Sequence, residues 1–247
     1  MIKGLFCGVS QYRSAHALPF CQNDVLVLKK TFTDNFIVDN DDIEIIADNG
    51  EIDNIEFIKK LKEFCEKCEK EDLAVVYYTG HGGVDERGDN FLCTTNTFNE
   101  YTCIYFDQLI HVFSQSKAKS KLVVLDCCHA DNKYGTSVQT FNTEKAIDDL
   151  YQAGISVFCS CEGGQSSNPY YDKKVSAFTQ FLSDALNYKG IYREDGIYFN
   201  DIKLLVETYA KVWNHKNVDA IQNPVFRSNM IGTIVFPLKQ PKIKEKR

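Results

Sequence analysis

Two stretches of this chain end in residues able to do covalent chemistry. In Lys121-Leu-Val-Val-Leu-Asp-Cys-Cys-His129, the apolar run Leu122–Leu125 stops at Asp126, Cys127, Cys128 and His129. In the second stretch, Leu73 to Tyr78 is apolar, and a glycine-rich loop of Thr79, Gly80, His81, Gly82 and Gly83 is expected to follow. Short apolar runs of this kind predict buried strands. In open α/β sheets, groups that act on ligands lie just beyond the carboxyl ends of strands. One strand end offers a thiol and the other an imidazole. A cysteine attacks as the thiolate and needs a base or a positive field beside it. Such partners are neighbours in space, not in sequence. Successive strand residues face opposite sides, so only one of Cys127 and Cys128 can face His81.

The elements that must position these groups follow from the pattern. Lys3–Val9 predicts a first strand, and Ser10–Asn23 a polar loop broken by Pro19. Asp24 opens a helix with Val25, Leu28 and Phe32 on one face and Asn23 as a plausible N-cap. Ile43–Ala47 is a short strand ended by Asp48-Asn49-Gly50, a turn signal. Ile55, Ile58, Leu61, Cys65 and Cys68 form a helical stripe, and another helix surrounds Phe106, Leu109, Ile110 and Phe113. After a polar stretch from Ala130 to Ile147, strand Ile155–Cys161, helices Val175–Leu186 and Ile202–Trp213 (capped by Asn200) and strand Ile231–Phe236 complete the chain. Strands alternating with helices mean βαβ units and a mainly parallel sheet covered on both faces. No repeat or linker divides the 247 residues, so one domain with an exposed interior loop is expected.

The local wording of the motifs narrows the class. His81 precedes Cys128 by 47 positions, close to the roughly 50 of caspases, although the local caspase signature around the cysteine is absent. Asp126-Cys127-Cys128-His129 instead resembles the D-x-C-H block of metacaspases, and Tyr78-Thr79-Gly80-His81-Gly82 their aromatic-small-Gly-His-Gly block. Leu18-Pro19-Phe20-Cys21-Gln22-Asn23-Asp24 is similar to that family's L-x-G-C-x-N-D segment, departing from it at Pro19 and Phe20. Gln165-x-Ser167, Ala177-Phe178-Thr179 and Gln222-Asn223-Pro224 are similar to its small-subunit landmarks, so the resemblance spans almost the whole chain.

That resemblance implies a caspase-haemoglobinase-like three-layer α/β fold with a mainly parallel sheet of about six strands. Residues 1–130 would correspond to the large-subunit half, 131–147 to an exposed loop and 148–247 to the small-subunit half. It implies a cysteine endopeptidase with Cys128 as nucleophile, His81 as base and then acid, and the backbone N–H groups of Gly82 and Cys128 as oxyanion hole. Cys127 would fill the small position before the nucleophile. Asp24 and Asp126 fall where metacaspases place the acidic pair of the S1 pocket, with Cys21 and Thr79 lining it. Two buried carboxylates repel unless a cation joins them, and an arginine fork or a lysine meets that need. Protein or peptide substrates cut after Arg or Lys are therefore expected, with a catalytically silent scaffold of the same fold as the alternative. Loop processing would fall after Lys133 or Lys145. No cofactor is required on this reading. Family members are often calcium-activated, but Asp85, Asp89, Asp107 and Asp131 are scattered and do not map onto a calcium site. The family resemblance favours a monomer.

Composition removes other classes. A net charge of −6 argues against a nucleic-acid binder. No apolar run is long enough to span a bilayer, and the amino terminus lacks the layout of a signal peptide. A cytosolic or nuclear protein is expected, whose ten cysteines are thiols. Cys65-x-x-Cys68 has no second pair at zinc spacing, and Gly163-Gly164 lacks the Lys-Ser/Thr of a phosphate loop. His16, His111, His129 and His215 show no acid–base partner in the sequence.

Overall fold

The computed structural model describes residues 1–97, 102–129, 141–228 and 235–239, with Asn40, Cys128 and His129 described through their backbone. In chain order the elements are β1 (Ile2–Gly8), α1 (Cys21–Asn35), β2 (Ile43–Ile46), α2 (Asn54–Lys67), β3 (Leu73–Val84), β4 (Asn90–Leu92), β5 (Ile104–Tyr105), α3 (Phe106–Ser114) and β6 (Ser120–His129). They continue with α4 (Thr143–Gln152), β7 (Ser156–Cys159), β8 (Pro169–Tyr170), β9 (Val175–Ser176), α5 (Ala177–Asn187), β10 (Ile197–Tyr198), α6 (Phe199–Lys216), β11 (Val225–Arg227) and β12 (Val235–Phe236).

The main sheet runs β11-β7-β6-β3-β1-β2. Only β11 is antiparallel along that path. Strand periodicity sorts its side chains between two layers. Ala74, Val76 and Tyr78 of β3 and Val123, Leu125 and Cys127 of β6 pack against α2, α3 and α4. Leu73, Val75, Tyr77, Leu122 and Val124 pack against α1, α5 and α6. The result is the expected three-layer α/β sandwich, helices on both faces.

Several boundaries differ from expectation, each for a physical reason. The glycine-rich stretch after Tyr78 is not a loop. β3 continues to Val84 because Gly82, Gly83 and Val84 pair with β4 on one side and Thr79 to Gly82 pair with β6 on the other. The loop expected over 131–147 ends earlier, since Thr143 begins α4, with Asn142 capping Lys145 N–H at 2.9 Å. Residues 131–140 lie outside the described residues. α1 starts at Cys21, not Asp24, and Asn23 caps nothing. Its amide instead donates to the Lys174 carbonyl at 2.9 Å. Ile55, expected on the buried stripe of α2, is 77% exposed, because it stands in the first turn beyond the edge of the core. α6 begins at Phe199 with Tyr198 at its cap position, so Asn200 is inside the helix. The last expected strand keeps only Val235–Phe236 among the described residues. It pairs with β10 outside the main sheet, whose sixth strand is β11.

Candidate active site

β3 and β6 are neighbours, and their parallel register sets His81 opposite Cys128, Gly80 opposite Cys127 and Thr79 opposite Asp126. The His81 and Cys128 backbones thus lie side by side within the paired strand extensions. Cys127 is buried in the cluster formed with α2, α3 and α4, the packing role expected of it. Gly82 is confined: a Cβ there would meet Phe141 Cδ2 at 3.0 Å and the Phe91 carbonyl at 3.4 Å.

His81 is buried. Its Nε2 lies 2.8 Å from the backbone carbonyl of His16. A carbonyl only accepts, so Nε2 carries the proton and the lone pair of the neutral ring lies on Nδ1.

Asp24 enters from the first turn of α1 and Asp126 from β6, both buried. Asp24 accepts the Ser176 backbone N–H at 2.7 Å and the Thr79 hydroxyl at 3.1 Å. Asp126 accepts the hydroxyls of Ser167, Ser176 and, at 3.1 Å, Thr179. Burial pushes the Asp24 carboxyl well above the usual carboxylate range, and the charge on Asp126 adds to it. Asp126 is also raised by burial, against the pull of its hydroxyl donors. The hydroxyls solvate both carboxyls without supplying a positive charge.

These groups line one cavity of about 410 Å³ that includes Cys21, Asp24, Thr79, Gly80, His81 and Asp126. The predicted pocket residues and the predicted base are therefore brought together. Ser176 was missed, and Ser167 and Thr179 were noted only as landmarks without a task. Gln222, another landmark, is fully buried: its amide donates to Ser160 O at 3.0 Å and accepts Asn168 N–H at 2.9 Å, fixing the loop that carries Ser167. Gln165 accepts Asn223 N–H at 2.7 Å and closes the same link.

The expected processing and metal positions fare differently. Lys145 lies on α4, its ammonium bonded to the Gly88 carbonyl at 2.9 Å and to Asp89 at 2.7 Å. Lys133 and Asp131 lie outside the described residues. Asp85 is paired with Arg87 at 2.9 Å, and Asp107 opens α3 elsewhere. The Asp85 and Asp89 carboxylates near the turn are thus paired with Arg87 and Lys145, and no metal-binding group of His, Cys, Asp or Glu occurs among the described residues. The nine described cysteines are all buried and form no disulfide.

The three-layer α/β sandwich sets a histidine and a cysteine opposite each other on neighbouring strands, the arrangement of a caspase-like fold. The chain belongs to the caspase-domain family, which it matches over residues 3–235. It is 28% identical over 208 residues to metacaspase-2 of Trypanosoma brucei brucei, covering 76% of this chain and 53% of that protein. Metacaspase-3 of the same organism is 28% identical over 208 residues, covering 76% and 52%. The chain spans about half the length of these curated relatives. Among solved structures it is similar in fold to caspase-1 from Spodoptera frugiperda, with TM-score 0.66, 14% identity and coverage of 96% and 92%. A Geobacter sulfurreducens protein solved as a structural-genomics target superposes with TM-score 0.64, 15% identity and coverage of 97% of each chain.

Proposed function

We propose that this chain is a cysteine endopeptidase that cuts proteins or peptides after arginine or lysine. The observation that carries this reading is the buried Asp24–Asp126 pair in the cavity that also holds His81. A substrate guanidinium placed between the carboxyls would supply the charge that their hydroxyl partners cannot. Membership of the caspase-domain family supports the peptidase chemistry, and the β3–β6 register supports the pairing of His81 with Cys128.

In this mechanism Nδ1 of His81 takes the Cys128 thiol proton, while the His16 carbonyl holds Nε2–H and keeps the ring in that tautomer. The thiolate attacks the scissile carbonyl. The N–H groups of Gly82 and Cys128 receive the developing oxyanion, each donor contributing roughly 3–4 kcal/mol. His81 then protonates the leaving amine, and water hydrolyses the thioester with His81 as base. No cofactor enters these steps. Processing of the chain is assigned to Lys133 in preference to Lys145, whose peptide bond lies inside α4. A reducing compartment, cytosol or nucleus, belongs to this reading, and the family resemblance favours a monomer. No helix among the described residues is long and apolar enough to cross a membrane.

The test is cleavage of fluorogenic peptides carrying Arg, Lys or Asp at P1, with calcium or a chelator. Turnover is expected on Arg and Lys alone and lost in Cys128→Ala, and the comparison of calcium with chelator decides whether the ion activates the chain. Preference for Asp would overturn the specificity. Failure of an Arg-directed thiol-reactive probe to label the wild type would favour the silent scaffold.

A further inference from the structure

Tyr12 stands where β1 stops supporting the strand that carries His81. The β1–β3 ladder ends at Gly8 opposite Thr79, and its last bond runs from Val9 N–H to the Thr79 carbonyl at 3.0 Å. His81, two residues on, presents its N–H along the same edge, in the gap between the end of β1 and the start of pairing with β4 at Gly82. A buried N–H must find an acceptor. The Tyr12 hydroxyl takes it at 2.9 Å and donates its own proton to the Val9 carbonyl at 2.7 Å. The His81 carbonyl accepts Cys93 N–H at 2.9 Å and shares the Tyr78 hydroxyl, 2.7 Å away, with the Cys93 carbonyl at 2.6 Å. Two phenols therefore grip both backbone groups of one histidine.

Gly80 is the reason both can approach. A Cβ there would lie 2.5 Å from the Tyr78 oxygen and 2.6 Å from the Tyr12 oxygen. The Tyr12 ring also lies against the imidazole, with centroids 4.6 Å apart at a tilt of 51°. An aromatic face favours the charged imidazolium over the neutral ring. Tyr12 sits in the same loop as His16, whose carbonyl fixes the imidazole tautomer.

We propose that Tyr12 is a positioning residue for the His81 base: its hydroxyl fills the gap between β1 and β4, and its ring supports the protonated imidazole. This rests on the peptidase reading above. Two parts of the side chain then carry separable effects. Tyr12→Phe removes the hydroxyl and keeps the ring, and Tyr12→Leu removes both.

The experiment measures kcat and KM on an Arg peptide across pH, with His81 amide exchange and imidazole NMR signals on the same proteins. Tyr12→Phe is expected to lower kcat about tenfold with KM nearly unchanged, to speed exchange of the His81 amide and to broaden the Nε2–H signal. Tyr12→Leu should in addition move the acid limb of kcat/KM to lower pH. Gly80→Ala should lose activity through the same contact, so combining it with Tyr12→Phe should cost less than the product of the separate losses. Wild-type kcat in Tyr12→Phe, or a fully multiplicative double variant, would overturn the proposal. If the wild type cleaves no basic peptide, the peptidase reading fails. The His81 signals then judge Tyr12 independently: unchanged in Tyr12→Phe they refute its role, and altered they support it.

Discussion

Asp24 and Asp126 are joined through one residue, Ser176, whose backbone N–H binds the first carboxyl at 2.7 Å while its hydroxyl binds the second. The helix α1 and the strand β6 thereby hold two acids at one pocket, and β9, which carries Ser176, closes it. Loss of either acid leaves a substrate cation with half of its counter-charge. Asp126→Asn is expected to lower kcat/KM on Arg peptides by at least about 30-fold, since breaking a buried charge pair costs about 2–5 kcal/mol. Steady-state kinetics with Arg and neutral P1 residues check this, and an equal loss on both would sink the pocket assignment.

The same pair sets a pH dependence. Both carboxyls hold protons more tightly in the folded chain than in the unfolded one, where Asp titrates at about 3.9. Between that value and the raised folded values, the folded state binds more protons. This contribution to stability is present below the window and is lost as pH rises through it. A bound guanidinium favours both carboxylates, so an arginine ligand should release protons and bind more tightly as pH rises across the window. Calorimetry in buffers of different ionisation enthalpy reads the sign directly, and proton uptake on binding would contradict the prediction.

The double cysteine separates by substitution. Cys128→Ala should abolish turnover with little change in stability. Cys127→Ala should keep turnover and cost about 1 kcal/mol, because Cys127 is a small buried side chain in the core. Activity assays paired with urea melts distinguish them, and the reverse pattern would move the nucleophile by one position.

Asn90 ties the hairpin after His81 to the start of α4. Its buried side chain donates to the Asn142 carbonyl and accepts the Asn142 N–H, both at 2.9 Å. Asn90→Ala should cost about 1–3 kcal/mol through the unsatisfied backbone groups. Lys145→Met removes a half-exposed ion pair and should cost less than about 1 kcal/mol. It should also leave the fragment pattern unchanged in mass spectrometry. Loss of a cleavage product in Lys145→Met would show that α4 opens for processing.

Gly8 tests how α1 is seated. A Cβ there would lie 2.5 Å from the Cys21 carbonyl oxygen and 2.9 Å from its carbon, both backbone atoms. Nothing flexible can give way, so Gly8→Ala should destabilise by about 1–3 kcal/mol. Because α1 carries Asp24, KM for Arg peptides should rise as well. Unaltered KM in a destabilised variant would separate the seating of α1 from the pocket.

Much of the site was legible because its residues follow apolar strands and glycines. Leu122–Leu125 and Leu73–Tyr78 announced buried neighbours, and the polar residues after them had no structural reason to be there. Helical periodicity located α2 and α5, whose apolar faces must be covered. The seven-residue ladder between β1 and β3 and the ten-residue ladder between β3 and β6 were not legible, because register depends on partners distant in sequence. The glycines after Tyr78 resembled a loop for that reason, and only pairing with β4 and β6 makes them strand. α4 escaped notice behind a polar stretch, since its buried residues Ala146, Ile147 and Leu150 are few. Residue types alone determined that a thiol, an imidazole and two acids were available. Tertiary structure decided that Ser176 joins the acids, that Gln222 fixes their loop and that Tyr12 stands where β1 ends. Those tasks belong to hydrogen bonds across 50 to 152 positions of chain, and no local pattern encodes them.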